Sequence, residues 1–241
     1  MKLTYSLIGI LFSLTCYSQK FYGMVPVGDN MWMDATEITV NEYRQFLNDL
    51  PEADRDKYKP DSTVWELDNL IGIPYYFFHP AYDNYPVVGI SYEQVTAFCE
   101  WRTTAFNNVN KLQVRYRLPT MEEWNKIAFC GDEGFAGCLS STFSAKTQTN
   151  MPYFQFNFWQ GGVGMSGADG FIMVCPVDSY APNQNGLYNL SGNVAEMVAE
   201  QGKALGGSWR HGAEFAQKGE VLKYSEPTAW LGFRCVVEVV K

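Results

Sequence analysis

Apolar residues recur at helical spacing in three places along the chain. Between Glu37 and Leu47 the stripe is Val40, Tyr43, Phe46 and Leu47, which predicts a helix with that face buried. A second helix starts behind Ser91, which sits three residues ahead of Gln94 in a capping box that satisfies the first unpaired amides. Its buried face is marked by Val95, Phe98, Cys99 and Phe106. The same signal returns at Thr120 and Glu123 behind Pro119, with Trp124, Ile127 and Ala128 as the stripe. All three faces read as core rather than as cofactor contacts. Between the last two helices, Leu112 to Arg117 alternates apolar and polar residues and predicts a strand.

From Met151 to Trp209 neither period persists. Gly161, Gly162, Gly164, Gly167 and Gly170 interrupt the first part, and Gly186, Gly192, Gly202, Gly206 and Gly207 the second. Backbone amides and carbonyls in such a stretch cannot all be satisfied by helices or ladders, so an additional staple is expected there.

The N-terminus follows a different grammar. Lys2 precedes an apolar run from Leu7 to Leu14 and the polar stretch Thr15-Cys16-Tyr17-Ser18-Gln19. The run is far shorter than the ~20 residues a membrane span requires, and the pattern is that of a secretory signal peptide over residues 1–18, cut near Ser18-Gln19. Cys16 is the residue a lipid anchor would use, although Ser13-Leu14-Thr15 departs from the leucine and small residues that usually precede one. The protein is therefore expected to be exported, to the periplasm, the envelope or the medium.

Residues 19–241 are expected to form one domain, because no linker, low-complexity tract or repeat divides them. Aromatic residues make up 16% of the chain and charged residues 18%, which predicts a large core. The formal net charge is -8 with no basic stripe, which argues against nucleic acid and anionic membranes as partners. No transmembrane segment is expected, and the acidic balance is compatible with calcium. Past the leader remain Cys99, Cys130, Cys138, Cys175 and Cys235, an odd number in an oxidising compartment. None of their spacings is a CxxC, so a zinc knuckle is not supported.

Seven strings occur in order. They are Glu37-Ile38-Thr39 with Asn41 and Tyr43, Tyr85-Pro86-Val87-Val88-Gly89-Ile90-Ser91-Tyr92, Phe98-Cys99-Glu100-Trp101, Arg117-Leu118-Pro119-Thr120 with Glu123-Trp124, Gly186-Leu187-Tyr188-Asn189 with Gly192-Asn193-Val194 and Glu196, Gly206-Gly207-Ser208-Trp209, and Gly232-Phe233-Arg234-Cys235. Together they resemble the sulfatase-modifying-factor family, founded on the formylglycine-generating enzyme. The resemblance implies an irregular, loop-rich α+β fold related to C-type lectins, with two structural calcium ions. Carried over position by position, it places one ion on the side chains of Asn157 and Asp169 and the carbonyls of Phe158 and Phe171. The other falls on the side chains of Asn189 and Glu196 and the carbonyls of Gly192 and Val194. Calcium takes six to eight hard oxygens, backbone ones included, so the residue types are apt; Asn, Asp and Gly are also ordinary turn formers. The resemblance further implies a disulfide between Cys99 and Cys235. Cys130 and Cys138 would then be free to close a local hairpin, which leaves Cys175 over.

The family's oxidase binds copper through two cysteines shortly after the Gly-Gly-Ser-aromatic motif, and here those positions read His211 and Ala216. Soft thiolates select Cu(I), so no copper is expected. A second branch holds iron with three histidines, whereas this chain has only His79 and His211. Nucleophilic catalysis by Ser208 and His211 lacks an orienting acid. The wording of His79-Pro80, Tyr85 to Gly89 and Trp101-Arg102-Thr103 especially resembles the family domain of gliding-motility lipoproteins. The expected function is a non-catalytic binding or scaffold module that presents the groove from Trp209 to Phe215 to a protein or glycan. The alternative is an enzyme that recruits His211 with Glu214, which a deep pocket with converging carboxylates would favour.

Overall fold

The structure, a computed structural model, describes residues 21–68, 73, 75–129, 156–158 and 171–240. The leader, Cys16, Cys130, Cys138 and Asp169 lie outside the described residues.

Two four-stranded sheets are present among the described residues, in the order β1-β2-β8-β3 and β6-β5-β4-β7. In the first, β1 (Met24–Gly28), β2 (Met31–Asp34), β8 (Val236–Val239) and β3 (Val114–Arg117) are antiparallel throughout. Val237 stands opposite Trp32 on one side and Tyr116 on the other. In the second, β4 (Ala195–Met197) pairs antiparallel with β5 (Lys203–Leu205) and parallel with β7 (Leu231–Gly232), while β6 (Leu222–Lys223) closes the far edge. The described strands are two to five residues long, and most of the described residues between 171 and 209 lie outside helices and strands, as an α+β protein of irregular type requires.

Each of the three predicted helices forms with its own start signal. Helix α1 (Val40–Asp49) begins after Thr39, whose hydroxyl accepts from the Glu42 amide at 3.1 Å while Glu42 accepts from the Thr39 amide at 2.8 Å. This reciprocal cap starts the helix at Val40 rather than Glu37 and leaves Glu37 ahead of it, with no exposed surface. Helix α2 (Glu52–Tyr58) buries none of its residues, so no apolar stripe announces it. Helices α3 (Tyr92–Val109) and α4 (Met121–Ala128) start behind Ser91 and Thr120 in capping boxes of the same form. None of the described helices is long and apolar enough to cross a membrane.

The largest core cluster runs through both sheets and includes Trp32, Tyr43, Phe98, Met197, Leu231, Phe233 and Val237. Tyr43 stacks on Phe98 at 5.7 Å, and Phe98 meets Phe233 edge-on at 5.4 Å, so α1, α3 and the strand-end at Phe233 share one aromatic seam. Helix α3 is tied to the first sheet by a partly buried ion pair in which Arg102 forks onto Asp34 at 2.7 and 2.8 Å. It also covers the open edge of β3. The Asn107 carboxamide donates to the Val114 carbonyl at 3.0 Å and accepts from the Val114 amide at 2.9 Å, as a neighbouring strand would. One turn earlier, the Thr103 hydroxyl accepts from the Tyr116 amide at 2.9 Å.

Candidate functional site

The residues expected to form a groove follow β5. Gly206 and Gly207 both adopt positive φ, +91° and +70°, and turn the chain sharply inward. A side chain at Gly206 would place its Cβ 2.7 Å from the Leu190 carbonyl, so only glycine lets this turn pass. Ser208 is thereby fully buried, and Trp209 emerges half-buried with its amide on the Asn193 carbonyl at 2.9 Å. The Trp209 indole donates to the Ala229 carbonyl at 3.0 Å, its ring stacks near Trp65 at 6.5 Å, and the Arg210 guanidinium lies over its face at 5.6 Å.

His211 sits between two rings, edge-on to Trp230 at 4.7 Å and to Phe215 at 5.2 Å. Its Nδ1 is 2.6 Å from Ser208 Oγ, which also accepts from the Arg210 amide at 3.2 Å. Burial, reinforced by the neighbouring Arg210 charge and only partly opposed by Glu214, pulls the imidazole down to a pKa of about 4. The ring is therefore neutral near pH 7. Ser208 Oγ and His211 Nδ1 share one hydrogen bond, whose direction is set by the tautomer of the imidazole. A serine with no exposed surface cannot reach a substrate as nucleophile. Glu214 is exposed and points along the short turn Ala213–Ala216 beside Gly212, and Ala216 is buried. Where two thiolates would have to meet, the protein puts an engaged imidazole and a buried methyl group. The result is an aromatic-walled shelf on which one exposed carboxylate, Glu214, lies beside His211.

A second cluster is buried and polar. Arg234, fully buried, uses all five of its N–H donors. It forks onto Glu196 at 2.6 and 2.8 Å and reaches the carbonyls of Asp34, Ala35 and Tyr188 at 3.2, 3.1 and 2.7 Å. The Trp124 indole adds a third bond to Glu196 at 2.7 Å. Glu196, expected to face calcium, is thus held by an arginine and an indole. Gly192 stands at φ +82° with its Cα against the backbone of Asn157, where a Cβ would fall 2.5 Å from the Asn157 carbonyl. Val194 is buried between the sheets.

Asn189 and Asn193 both adopt the left-handed conformation, at φ +49° and +59°. Asn193 bridges Cys175, accepting from its amide at 2.8 Å and donating to its carbonyl at 3.3 Å, and donates to Glu37 at 2.8 Å. Asn189 donates to Glu37 at 3.2 Å and to the Val177 carbonyl at 3.0 Å, while its own side-chain oxygen is buried and finds no hydrogen-bond partner. Burial pushes the Glu37 carboxyl up to a pKa of about 8, against the pull of Arg234. For the other expected ion, the Asn157 carboxamide donates to the Met173 carbonyl at 2.7 Å, and Phe158 and Phe171 carry rings packed on Phe156 and Tyr180. Asp169, the remaining member of that set, lies outside the described residues. An orphaned buried oxygen among amides and carbonyls is an environment that suits a hard cation. Glu37, Asn193 and Arg234 stood in the sequence as landmarks without roles. Their signal was a polar residue held in otherwise apolar strings, such as Glu37 ahead of Ile38.

Residues 24–239 match the FGE-sulfatase family, the sulfatase-modifying factor enzyme 1-like domain. The formylglycine-generating enzyme of Mus musculus is 26% identical over 200 residues, covering 71% of this chain and 49% of that protein. The inactive C-alpha-formylglycine-generating enzyme 2 of Bos taurus is 36% identical over 124 residues, covering 50% and 35%. The chain thus spans less than half the length of these curated relatives. Among solved structures, PvdO from Pseudomonas aeruginosa superposes with a TM-score of 0.59 at 18% identity, over 87% of this chain and 80% of that one. Treponema denticola variable protein 1 gives 0.55 at 17%, over 90% and 91%.

Proposed function

The chain belongs to the sulfatase-modifying factor enzyme 1-like family, and on that premise we propose that it is a non-catalytic member that works as an exported binding or scaffold module. The groove from Trp209 to Phe215 is its recognition surface, offered to a protein or glycan of the cell envelope, in the manner of the family domain in gliding-motility lipoproteins. One observation carries the reading. At the two positions that hold copper thiolates in the oxidase stand His211, whose Nδ1 is 2.6 Å from Ser208 Oγ, and Ala216, which is buried. Relatives described as inactive are consistent with it. The aromatic rings of Trp209, Trp230 and Phe215 suit stacking on a flat ligand, and the Arg210 guanidinium above Trp209 adds a polar rim.

Calcium belongs to the same reading as a structural ion, at up to two sites, which offsets the ordering entropy of a glycine-rich stretch whose sequence carries little periodic apolar pattern. Melting of the purified protein with calcium and with chelator tests this part, and a fall of several degrees on chelation is expected. The Cys99–Cys235 disulfide belongs to it as the staple of an exported domain. Copper(I)-loaded protein incubated with a peptide bearing a sulfatase cysteine motif tests the catalytic side. No conversion to formylglycine is expected, and turnover would overturn the reading. A photo-crosslinking side chain at Phe215 tests the binding side. It is expected to give a discrete envelope adduct that disappears in Trp209→Ala, and the absence of any adduct would remove the groove from the account.

A further inference from the structure

The surface between α1 and α3 holds a cleft of about 550 Å³ that shares no residue with the groove from Trp209 to Phe215. Phe46, with no exposed surface, forms its floor, and the half-buried rings of Tyr58 and Trp101 stand against Phe46 at 5.7 and 5.6 Å. These rings are inclined to Phe46 by 67° and 55°, so the walls make a tapering cup and not a parallel slot.

Two exposed carboxylates, Asp49 and Glu100, line the same cleft, whereas none of the described residues that line it is a lysine or an arginine. Neither acid belongs to an ion pair among the described residues. Asp49 ends α1, where the helix's own carbonyl dipoles disfavour an anion, and the last turn of α1 has no basic residue. One of its oxygens accepts from the Trp101 indole at 3.1 Å, which fixes carboxylate and ring together at the rim. The cations nearby are engaged elsewhere. Arg55 donates to the carbonyls of Leu50 and Asn48 at 3.1 and 3.0 Å, and Arg115, which shares a different cleft with Glu100, reaches Glu238 at 4.0 Å. Lys57 lies over the Tyr58 ring at 4.9 Å but lines a neighbouring cleft, so this ring already accepts an ammonium on its face. An exposed carboxylate alone needs no partner. Two of them at the mouth of an aromatic cup with no cation of its own make a local field that selects a positive group carried on an apolar stem.

We infer that this cleft is a docking site, independent of the groove, and that its occupant is a lysine side chain presented by a partner protein. The alkyl stem lies along the rings and the ammonium meets Asp49 and Glu100. Lysine suits the cleft better than arginine, because a guanidinium gains most by stacking flat on a ring or forking onto both oxygens of one carboxylate. Here the rings are inclined and the Trp101 indole already holds one oxygen of Asp49.

NMR of the isotope-labelled protein, titrated with a capped Gly-Gly-Lys-Gly-Gly peptide and with the same peptide acetylated on its lysine, tests this. The Trp101 indole N–H signal, assigned by its loss in Trp101→Phe, is expected to move with the first peptide and not with the second, since acetylation removes the charge. Asp49→Asn and Glu100→Gln are each expected to weaken binding about two- to fivefold, the scale of an exposed charge or cation–ring contact. Both residues are exposed, so the variants should fold as wild type does. Glu122→Gln, which removes an exposed acid from α4, should bind as wild type does. If the Trp101 signal stays in place, or if Glu122→Gln weakens binding as much as the cleft variants, the attraction is that of an acidic surface and the site is refuted. Tighter binding of the matching arginine peptide overturns the choice of side chain, and putrescine binding as tightly as the lysine peptide overturns the protein partner in favour of a free amine.

Discussion

Cys99 Sγ lies 3.5 Å from Cys235 Sγ although 136 residues separate them in the chain. Both side chains are buried, one on α3 and the other just ahead of β8, and here they stand as thiols in contact. Closing them in an oxidising compartment would constrain a very long loop of the unfolded chain, which the chain-entropy relation rates at ~5 kcal/mol. Peptide mapping of unreduced protein should recover the two cysteines linked, and reductant should lower the melting temperature. Quantitative alkylation of both in unreduced protein from an oxidising compartment would rule the bond out.

The pairing of Arg234 with Glu196 should be strongly asymmetric under mutation. Each single variant, Arg234→Met or Glu196→Gln, strands a buried partner and is expected to cost ~3–5 kcal/mol. The double variant should cost clearly less than the sum, because neither stranded group remains. Additive losses in denaturant unfolding would mean that the two groups do not compensate each other.

The contribution of His211 to stability should fall as the medium is acidified, while Glu37, raised to about 8 by burial, works in the opposite sense over the same range. The pKa of His211 is lowered from 6.5 in the free side chain to about 4 in the fold, so between those values the unfolded chain binds a proton that the folded one refuses. This contribution is complete above pH 6.5 and is lost progressively toward pH 4. Comparison of denaturation midpoints with His211→Phe across that window isolates it, and identical pH slopes for the two proteins would contradict it.

Asn107→Ala should cost ~1–3 kcal/mol, because it strips both the donor and the acceptor that the side chain offers to Val114. It should also expose the edge of β3 to other molecules, seen as concentration-dependent association. A monomeric variant of unchanged stability would show that water replaces the carboxamide without loss.

The helices were legible because each carries its instructions within a few residues. Ser91 with Gln94 and Thr120 with Glu123 could be read directly, and the faces behind them are buried as expected. Thr39 with Glu42 obeys the same rule, but the apolar stripe alone extends the predicted helix back to Glu37, three residues ahead of the cap-set start at Val40. The strands were mostly illegible. Ala195, Glu196 and Met197 are all buried, so β4 shows no alternation, and β6 and β7 are too short to have any. Residue identities around His211 could be read, but not that Ser208 is wholly inside, since that depends on two left-handed glycines. The role of Glu37 was hidden for a related reason: its partners Asn189 and Asn193 are about 150 residues away.

Strand β8 lies inside the first sheet, between β2 and β3, yet it is the last of the described strands in chain order. A polypeptide made from its N-terminus can set its capped helices early, since local turns form in ~0.1–1 μs. It cannot close this sheet until residues 236–239 are available, because β2 and β3 each pair with β8 and not with each other. Until then the apolar faces of Trp32 and Tyr116 have no strand between them. The sheet therefore stays open through the synthesis of everything before residue 236, and its cooperative closure waits for the segment 236–239 to arrive.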